Sequence, residues 1–169
     1  MADDPWLDER QQRLWRAWVA LNSQLPAALH RQLQADAGLS LQDFEVLVHL
    51  TDTASGRVRV SDLAGCMGWE RSRLSHHVKR MEGRGLVQRQ ECCDDGRGAF
   101  VTLTPTGREA IEHAAPGHAR TVRELVFTSL TEEELDAVTT FAERVLGRLE
   151  AGQVGVTGRG GETDEGCPD

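Results

Sequence analysis

A chain of 169 residues has room for one domain with a real core, and its 39% hydrophobic content fits a soluble globular protein. No segment is long and apolar enough to span a bilayer, and no basic start followed by an apolar run marks a secretory signal, so the cytoplasm is the expected compartment. The net charge of −8 looks wrong for a protein that meets nucleic acid until it is divided along the chain: Arg57 to Arg97 carries nine basic and six acidic residues, or +3, whereas residues 1–9 carry −4 and residues 151–169 carry −3. A basic patch on an acidic body suits local phosphate contact with little non-specific binding.

Residues 1–5 are polar and expected to be loose. From Trp6 to near Gly38, Leu14, Trp18, Leu21, Leu25, Leu29 and Leu33 recur at helical spacing with Trp15 beside them, which predicts one long helix over 6–37, kinked at Pro26. Apolar on one side over such a length, it is easier to understand in a dimer interface than as a lone surface helix. Ser40 then caps a second helix through about Asp52, with Phe44, Leu47, Val48 and Leu50 as its core set. The run 53–56 turns, and 57–60 reads as a short strand.

From Val60 to Thr104 the pattern is helix, tight turn, helix and two strands. Ser61 reads as the cap of a short helix through Met67, which Gly68 stops; Cys66, a small residue in that helix, is expected to be buried. The following helix, about Glu70 to Gly83, carries Leu74, Val78 and Met81 on one stripe, which must be its buried face. Ser72, His76 and Lys79 then lie opposite, Arg73, Ser75 and Arg80 on the shoulders, and Arg71 and His77 nearer the core edge. The outward face is basic and rich in hydrogen-bonding groups. Gly85 lets the chain leave the helix, LVQRQECC reads as a partly buried strand, and Asp94 to Gly98 forms a hairpin tip. AFVTLT returns with Phe100 or Val101, and Leu103, facing inward. The apex of this wing carries a single arginine, Arg97, of the right shape and charge to enter a narrow minor groove.

Thr104 caps a helix whose first residue is Pro105; it runs on through Ile111, Val122, Leu125, Val126 and Phe127, with a kink expected at Glu112 to Pro116. Thr131 to Glu134 is a capping box, and the last helix puts Leu135, Val138, Phe141, Val145, Leu146 and Leu149 on one side. Residues 151–169, Gly-rich, acidic and without periodicity, are expected to be disordered.

The run Asp95-x-Arg97-Gly98-x-x-Val101-x-Leu103-Thr104, followed by Pro105-x-Gly107, resembles the wing signature of the MarR (multiple antibiotic resistance regulator) family. Leu63-Ala64, Arg73-Leu74 and Gly85-Leu86-Val87 fall where that family has its two helix-turn-helix helices. The resemblance spans about Trp6 to Glu150. It implies a mainly α fold with a small β wing: a winged helix-turn-helix over 40–104, flanked by dimerisation helices at 6–37 and 105–150. It also implies a homodimer that binds a pseudopalindromic operator in double-stranded DNA and usually represses.

On that reading Ser72, Arg73, Ser75, His76, Lys79 and Arg80 contact bases and phosphates in the major groove, Arg97 enters the minor groove, and Asp95 orients Arg97. Family members often take small aromatic or phenolic effectors, for which Trp15 and Trp18 are the candidate lining, with Phe44, His49 and Met67 weaker ones. Cysteine-based redox sensing through Cys66, Cys92 or Cys93 is an alternative, as is a winged-helix module that joins proteins without binding DNA. The four cysteines, Cys167 included, have no CxxC spacing, and His113 and His118 are five apart, off the spacing that aligns two ligands on a helix face. Neither a metal nor a cofactor is expected. No phosphate-cradling Gly loop, nucleophile elbow or HExxH supports an enzyme.

Overall fold

In the computed structural model of the chain, the described residues are 5–53, 55–91 and 99–152. Helix α1 (Glu9–Ala37) opens with a capping box in which Asp8 accepts from the Gln11 N–H and Gln11 reaches back to Asp8. It passes through Pro26 without ending and stops at Gly38, whose left-handed backbone (φ 63°) closes its last turn. Helix α2 (Leu41–Asp52) is capped by Ser40 as its sequence predicts. Asp43 completes a reciprocal capping box with Ser40.

Strand β1 (Arg57–Arg59) leads directly into α3 (Val60–Cys66). The short helix starts two residues earlier than a Ser61 cap would set it: Arg59 occupies the cap position with no side-chain bond, and the Ser61 hydroxyl turns instead to Asp62. Val60, which has no cap chemistry, belongs inside the helix because its side chain is drawn into the core. Helix α4 (Arg71–Gly83), strand β2 (Val87–Glu91) and strand β3 (Ala99–Leu103) complete the winged unit. The sheet order is β1-β3-β2, both pairings antiparallel, so the short strand before α3 is the third strand of the wing. Val101, between Val58 and Arg89, is the inward residue; Phe100 faces the other way.

Helix α5 (Pro105–Val122) begins at the Thr104 cap, whose hydroxyl accepts from the Gly107 N–H at 2.9 Å and donates to the Gly85 carbonyl at 2.6 Å. The helix continues through Pro116 and changes to a π-helical turn only at Arg123–Phe127. The core is one cluster in which Leu33, Leu39, Val46, Leu47, Leu50, Leu63, Leu74, Val78, Met81 and Val101 are fully or almost fully buried, drawn from α1, the α1–α2 junction, α2, α3, α4 and β3, with Val87 of β2 beside them and the half-buried Val58 of β1 packed against them. Each such side chain contributes about 1.5–3 kcal/mol relative to exposure. Ile111 and Ala114 of α5 close it from the other side, and α5 packs along α1 and α2.

The chain divides into two compact units, 1–125 and 126–169. The second contains α6 (Glu132–Glu150), opened by the Thr131–Glu134 capping box that the sequence predicts. None of the α6 residues is buried, and Leu135, Val138, Phe141, Val145, Leu146 and Leu149 are all exposed. No helix among the described residues is long and apolar enough to cross a membrane.

Candidate nucleic-acid interface

Helix α4 is presented by a tight turn. Gly68, in the left-handed region (φ 62°), donates to Gly65, and Trp69 donates to the Ala64 carbonyl at 2.9 Å, folding the end of α3 back before α4 starts. On α4 the stripe Leu74, Val78 and Met81 is buried, together with His77. Ser72, Arg73, His76, Lys79 and Arg80 are exposed and Ser75 is half-buried; Arg71, placed at the core edge by helical geometry, is exposed too. All six residues assigned to the DNA-facing side of this helix therefore lie on its open surface or shoulder.

At its far end α4 is clamped. Glu82 accepts from the Arg89 N–H of β2 at 2.8 Å, and Arg84 donates to the Gly38 carbonyl and to Asp43 Oδ2, both at 2.7 Å. Asp43 is almost fully buried and has further contacts: the Ser40 N–H donates to it at 2.9 Å, and His77 Nε2 stands 3.1 Å from its second oxygen. The His77 contact is poorly aligned for a hydrogen bond, and Nε2 has no other partner, so attraction to the carboxylate is its main content. Burial pushes the Asp43 carboxyl up, but His77, Ser40 and Arg84 together outweigh it and hold the group well below the usual carboxylate range.

A cleft of about 820 Å³ opens between α4 and the α1–α2 junction, lined by Gln34, Ser40, Gln42, Asp43, Trp69, Arg73, His76, His77, Arg80 and Arg84. Within it the Arg73 guanidinium lies over the Trp69 ring, 4.1 Å from the centroid, and Trp69 meets the His77 ring edge-on at 5.4 Å. Stacking by its face leaves the edge of the Arg73 fork available for bidentate contact with guanine or phosphate. On the outer face of the wing sheet, Arg57 and Arg59 both approach the Phe100 ring, at 3.8 and 4.8 Å.

A second cavity of about 380 Å³ lies among Leu25, Pro26 and Leu29 of α1, Leu41, Phe44, Glu45, Val48 and His49 of α2, and His118 of α5. It unites two of the candidate effector residues, Phe44 and His49. Trp15 and Trp18 are elsewhere, exposed on the first half of α1, and do not line it. His118, not singled out as lining by the sequence, stacks on Phe44 at 4.4 Å; burial pushes its imidazole down and pushes the Glu45 carboxyl up against the opposing pull of His49 and His77. Cys66 is exposed on α3 rather than buried: the stripe Val60, Leu63 and Ala64 fills the inward side of that short helix, and Cys66 falls off it. Arg97, Asp95, Cys92 and Cys93 lie outside the described residues, as does most of 151–169.

The geometry is that of solved regulators. AbsC, a MarR family transcriptional regulator from Streptomyces coelicolor, superposes with a TM-score of 0.81 at 35% identity, covering 88% of this chain and 99% of that one. The chain belongs to the MarR family. The family model itself matches residues 37–98, the segment from the end of α1 through the helix-turn-helix to the wing. A second MarR family regulator from the same organism, Sco3205, solved in complex with DNA, aligns with a TM-score of 0.80 at 36% identity over 88% of this chain and 92% of that chain. The transcriptional repressor MprA of Escherichia coli K12 is 24% identical over 137 residues, 81% of this chain and 77% of the relative. MarR proteins are transcriptional regulators, not enzymes, and the mainly α winged-helix fold is the one the wing motif implies.

Asp43, Trp69 and Arg84 line the cleft beside α4 although the sequence alone does not place them there. A signal for Asp43 existed in the Ser40-x-x-Asp43 capping box, but the box explains the carboxylate locally. Nothing in it points to His77 or Arg84, about forty residues on.

Proposed function

We propose that this MarR-family chain is a homodimeric, sequence-specific regulator that binds a pseudopalindromic DNA site and represses by occluding a promoter. The observation that carries it is the outward face of α4, basic and hydrogen-bonding from Ser72 to Arg80, held rigidly by a buried stripe on its other side. A helix of this kind fits the major groove, where arginine reads guanine edges and serine or lysine takes phosphates or bases. The reading gives Ser72, Arg73, Ser75, His76, Lys79 and Arg80 these roles, and gives Arg97, steadied by Asp95, the adjacent minor groove. The DNA complex of Sco3205 and the repressor function of MprA support it.

Dimerisation rests on uncovered apolar surface. Leu14, Trp15, Trp18, Val19 and Leu21 are exposed on α1, and α6 separately exposes its own apolar side; each is the kind of apolar helix face that marks a subunit contact. Trp15 and Trp18 belong to this surface on the present reading. The expected boundaries remain a winged unit at 40–104 between dimerisation helices at 6–37 and 105–150, acting in the cytoplasm.

Relief of repression is assigned to a small aromatic or phenolic effector in the 380 Å³ cavity around Phe44 and His49. Its walls are leucine, proline, valine and an aromatic ring, and burial drives both Glu45 and His118 toward their neutral forms, which suits a largely uncharged guest. Because the cavity is built from α1, α2 and α5, filling it would bear on how α2, and through Asp43 the end of α4, is held.

A mobility-shift titration on genomic fragments at several salt concentrations tests the function. The expected result is retention of particular fragments with affinity falling steeply as salt rises. A chain that retains no fragment above background, while capturing a protein through the α4 face, would favour the protein-joining module instead.

A further inference from the structure

The proposed DNA contact by α4 leaves one feature of that helix unused: its buried histidine. His77 is 7% exposed, lies on the same turn as the buried Val78, and touches charged groups on two sides. Its Nε2 is 3.1 Å from Asp43 Oδ1 on α2, and its Nδ1 is 3.0 Å from Arg80 Nη2, one turn further along α4. We propose that His77 is a positioning residue for DNA binding: fixed from behind by Asp43, it holds the Arg80 guanidinium at the angle at which Arg80 meets a backbone phosphate. The proposal rests on the reading of α4 as the DNA-facing helix.

A guanidinium has donors and no acceptor, so in the Arg80 contact the Nδ1 lone pair must accept. The ring proton is then on Nε2, the nitrogen that faces the Asp43 carboxylate. One neutral tautomer accepts from Arg80 and turns its N–H dipole toward the carboxylate, whereas the opposite tautomer places an N–H against the guanidinium and a bare lone pair against the carboxylate.

The Asp43 side of the ring is not free to adapt. Asp43 is pinned by the Ser40 N–H and by Arg84, itself bound to the Gly38 carbonyl, while the Trp69 ring packs nearly perpendicular to the imidazole. The ring cannot turn over without presenting carbon to both partners. Arg80, by contrast, is exposed and long, so a fixed acceptor at its root removes rotamer freedom that it would otherwise lose on binding. The same Trp69 carries Arg73 on its face, so the buried pair Asp43–His77 stands behind two exposed arginines of the DNA-facing side.

The test uses the full chain and a duplex that it selects from a random-sequence library, with affinity read by fluorescence anisotropy and the melting temperature of every variant measured alongside. Arg80→Ala should weaken binding and lower the salt slope by about one per subunit. His77→Gln keeps a donor toward Asp43 but removes the acceptor; it should weaken binding about three- to tenfold, and Arg80→Ala added to it should cost little more. His77→Asn, whose amide oxygen falls near the Nδ1 position, should restore most of the Arg80 dependence.

An equal loss from Arg80→Ala in the original and His77→Gln backgrounds would overturn the proposal and leave Arg80 a DNA contact in its own right. No loss from Arg80→Ala in the original chain would overturn both the proposal and the assignment of Arg80 to DNA. Selection of no duplex would overturn the DNA-binding reading and the proposal with it. If the His77 variants do not fold, the long-range 1H–15N spectrum of the unaltered chain decides. It should show His77 protonated on Nε2 with an unprotonated Nδ1 whose resonance moves in Arg80→Ala; a proton on Nδ1 overturns the proposal.

Discussion

Gly107, in the first turn of α5, lies so close to the carbonyl oxygen of Leu86 that a Cβ placed on it would fall deep inside that oxygen's van der Waals shell, with Leu103 Cδ1 2.9 Å away. The contact seats α5 against the start of β2, where the Thr104 N–H also donates to the Leu86 carbonyl at 3.3 Å. Alanine would favour the helix by about 1 kcal/mol over glycine. Overpacking costs about 1–3 kcal/mol, and here the obstacle is backbone, which cannot rotate aside. Gly107→Ala should therefore destabilise the chain by about 2 kcal/mol in urea unfolding, and an unchanged or raised midpoint would show that α5 does not seat as described.

Asp43→Asn should destabilise by about 3 kcal/mol at neutral pH, because it leaves His77 and Arg84 facing an amide; Arg84 is half in water and recovers some solvation, which keeps the loss at the low end for a buried pair. The pH dependence follows from the direction of the shift. With the folded carboxyl below its ordinary value of 3.8, its stabilisation is complete above that value and is lost as the pH falls further. The stability gap between the original chain and Asp43→Asn should hold steady from neutral pH to about pH 5 and narrow below about pH 4. A gap that narrows already between pH 7 and 5 would mean that the carboxyl is not held down.

How much of this was legible depended on whether the cause was local. Leu74, Val78 and Met81 marked the buried side of α4 because helical spacing is a local property, and the outward set followed from it. The sequence leaves Phe100 and Val101 as alternatives; the face of β3 that packs on the core, with Val101 fully buried, decides for Val101. Ser61 has the side chain of a cap, yet burial of Val60 moves the helix start by two residues, a tertiary effect stronger than a capping preference. Gly107 was visible only as part of a family motif, and its reason, the Leu86 carbonyl, becomes apparent once α5 and β2 are side by side. The link from Asp43 to His77 and Arg84 spans segments whose local patterns are each already satisfied, so no sequence signal required it.

The wing can be separated from the recognition helix by its response to charge. If Arg97 enters a minor groove, Arg97→Ala should lower affinity and reduce the salt slope by about one per subunit without altering base preference or the melting temperature. Asp95→Ala should reproduce part of that loss if Asp95 holds the arginine. Simple electrostatics predicts tighter binding when an acidic group near DNA is removed, and a gain in affinity would show that Asp95 does not orient Arg97.

Dimerisation through the apolar side of α6 should be sensitive to one charge. Val138→Glu places a carboxylate in the middle of that surface and should shift sedimentation of the full chain from dimer to monomer at micromolar concentration, with a parallel loss of DNA affinity. A variant that remains dimeric and binds DNA normally would place the subunit contact elsewhere.

The most direct measurement is selection of bound duplexes from a random-sequence library by the full chain and by Arg73→Ala. The account predicts an inverted repeat with half-sites about one helical turn apart, 10 to 10.5 base pairs centre to centre. It further predicts that Arg73→Ala relaxes preference at a particular position of each half-site, with about 1–3 kcal/mol of discrimination lost where a bidentate contact is removed. Enrichment of no motif, or of one that is asymmetric and unchanged by Arg73→Ala, would contradict a two-fold regulator reading DNA through α4.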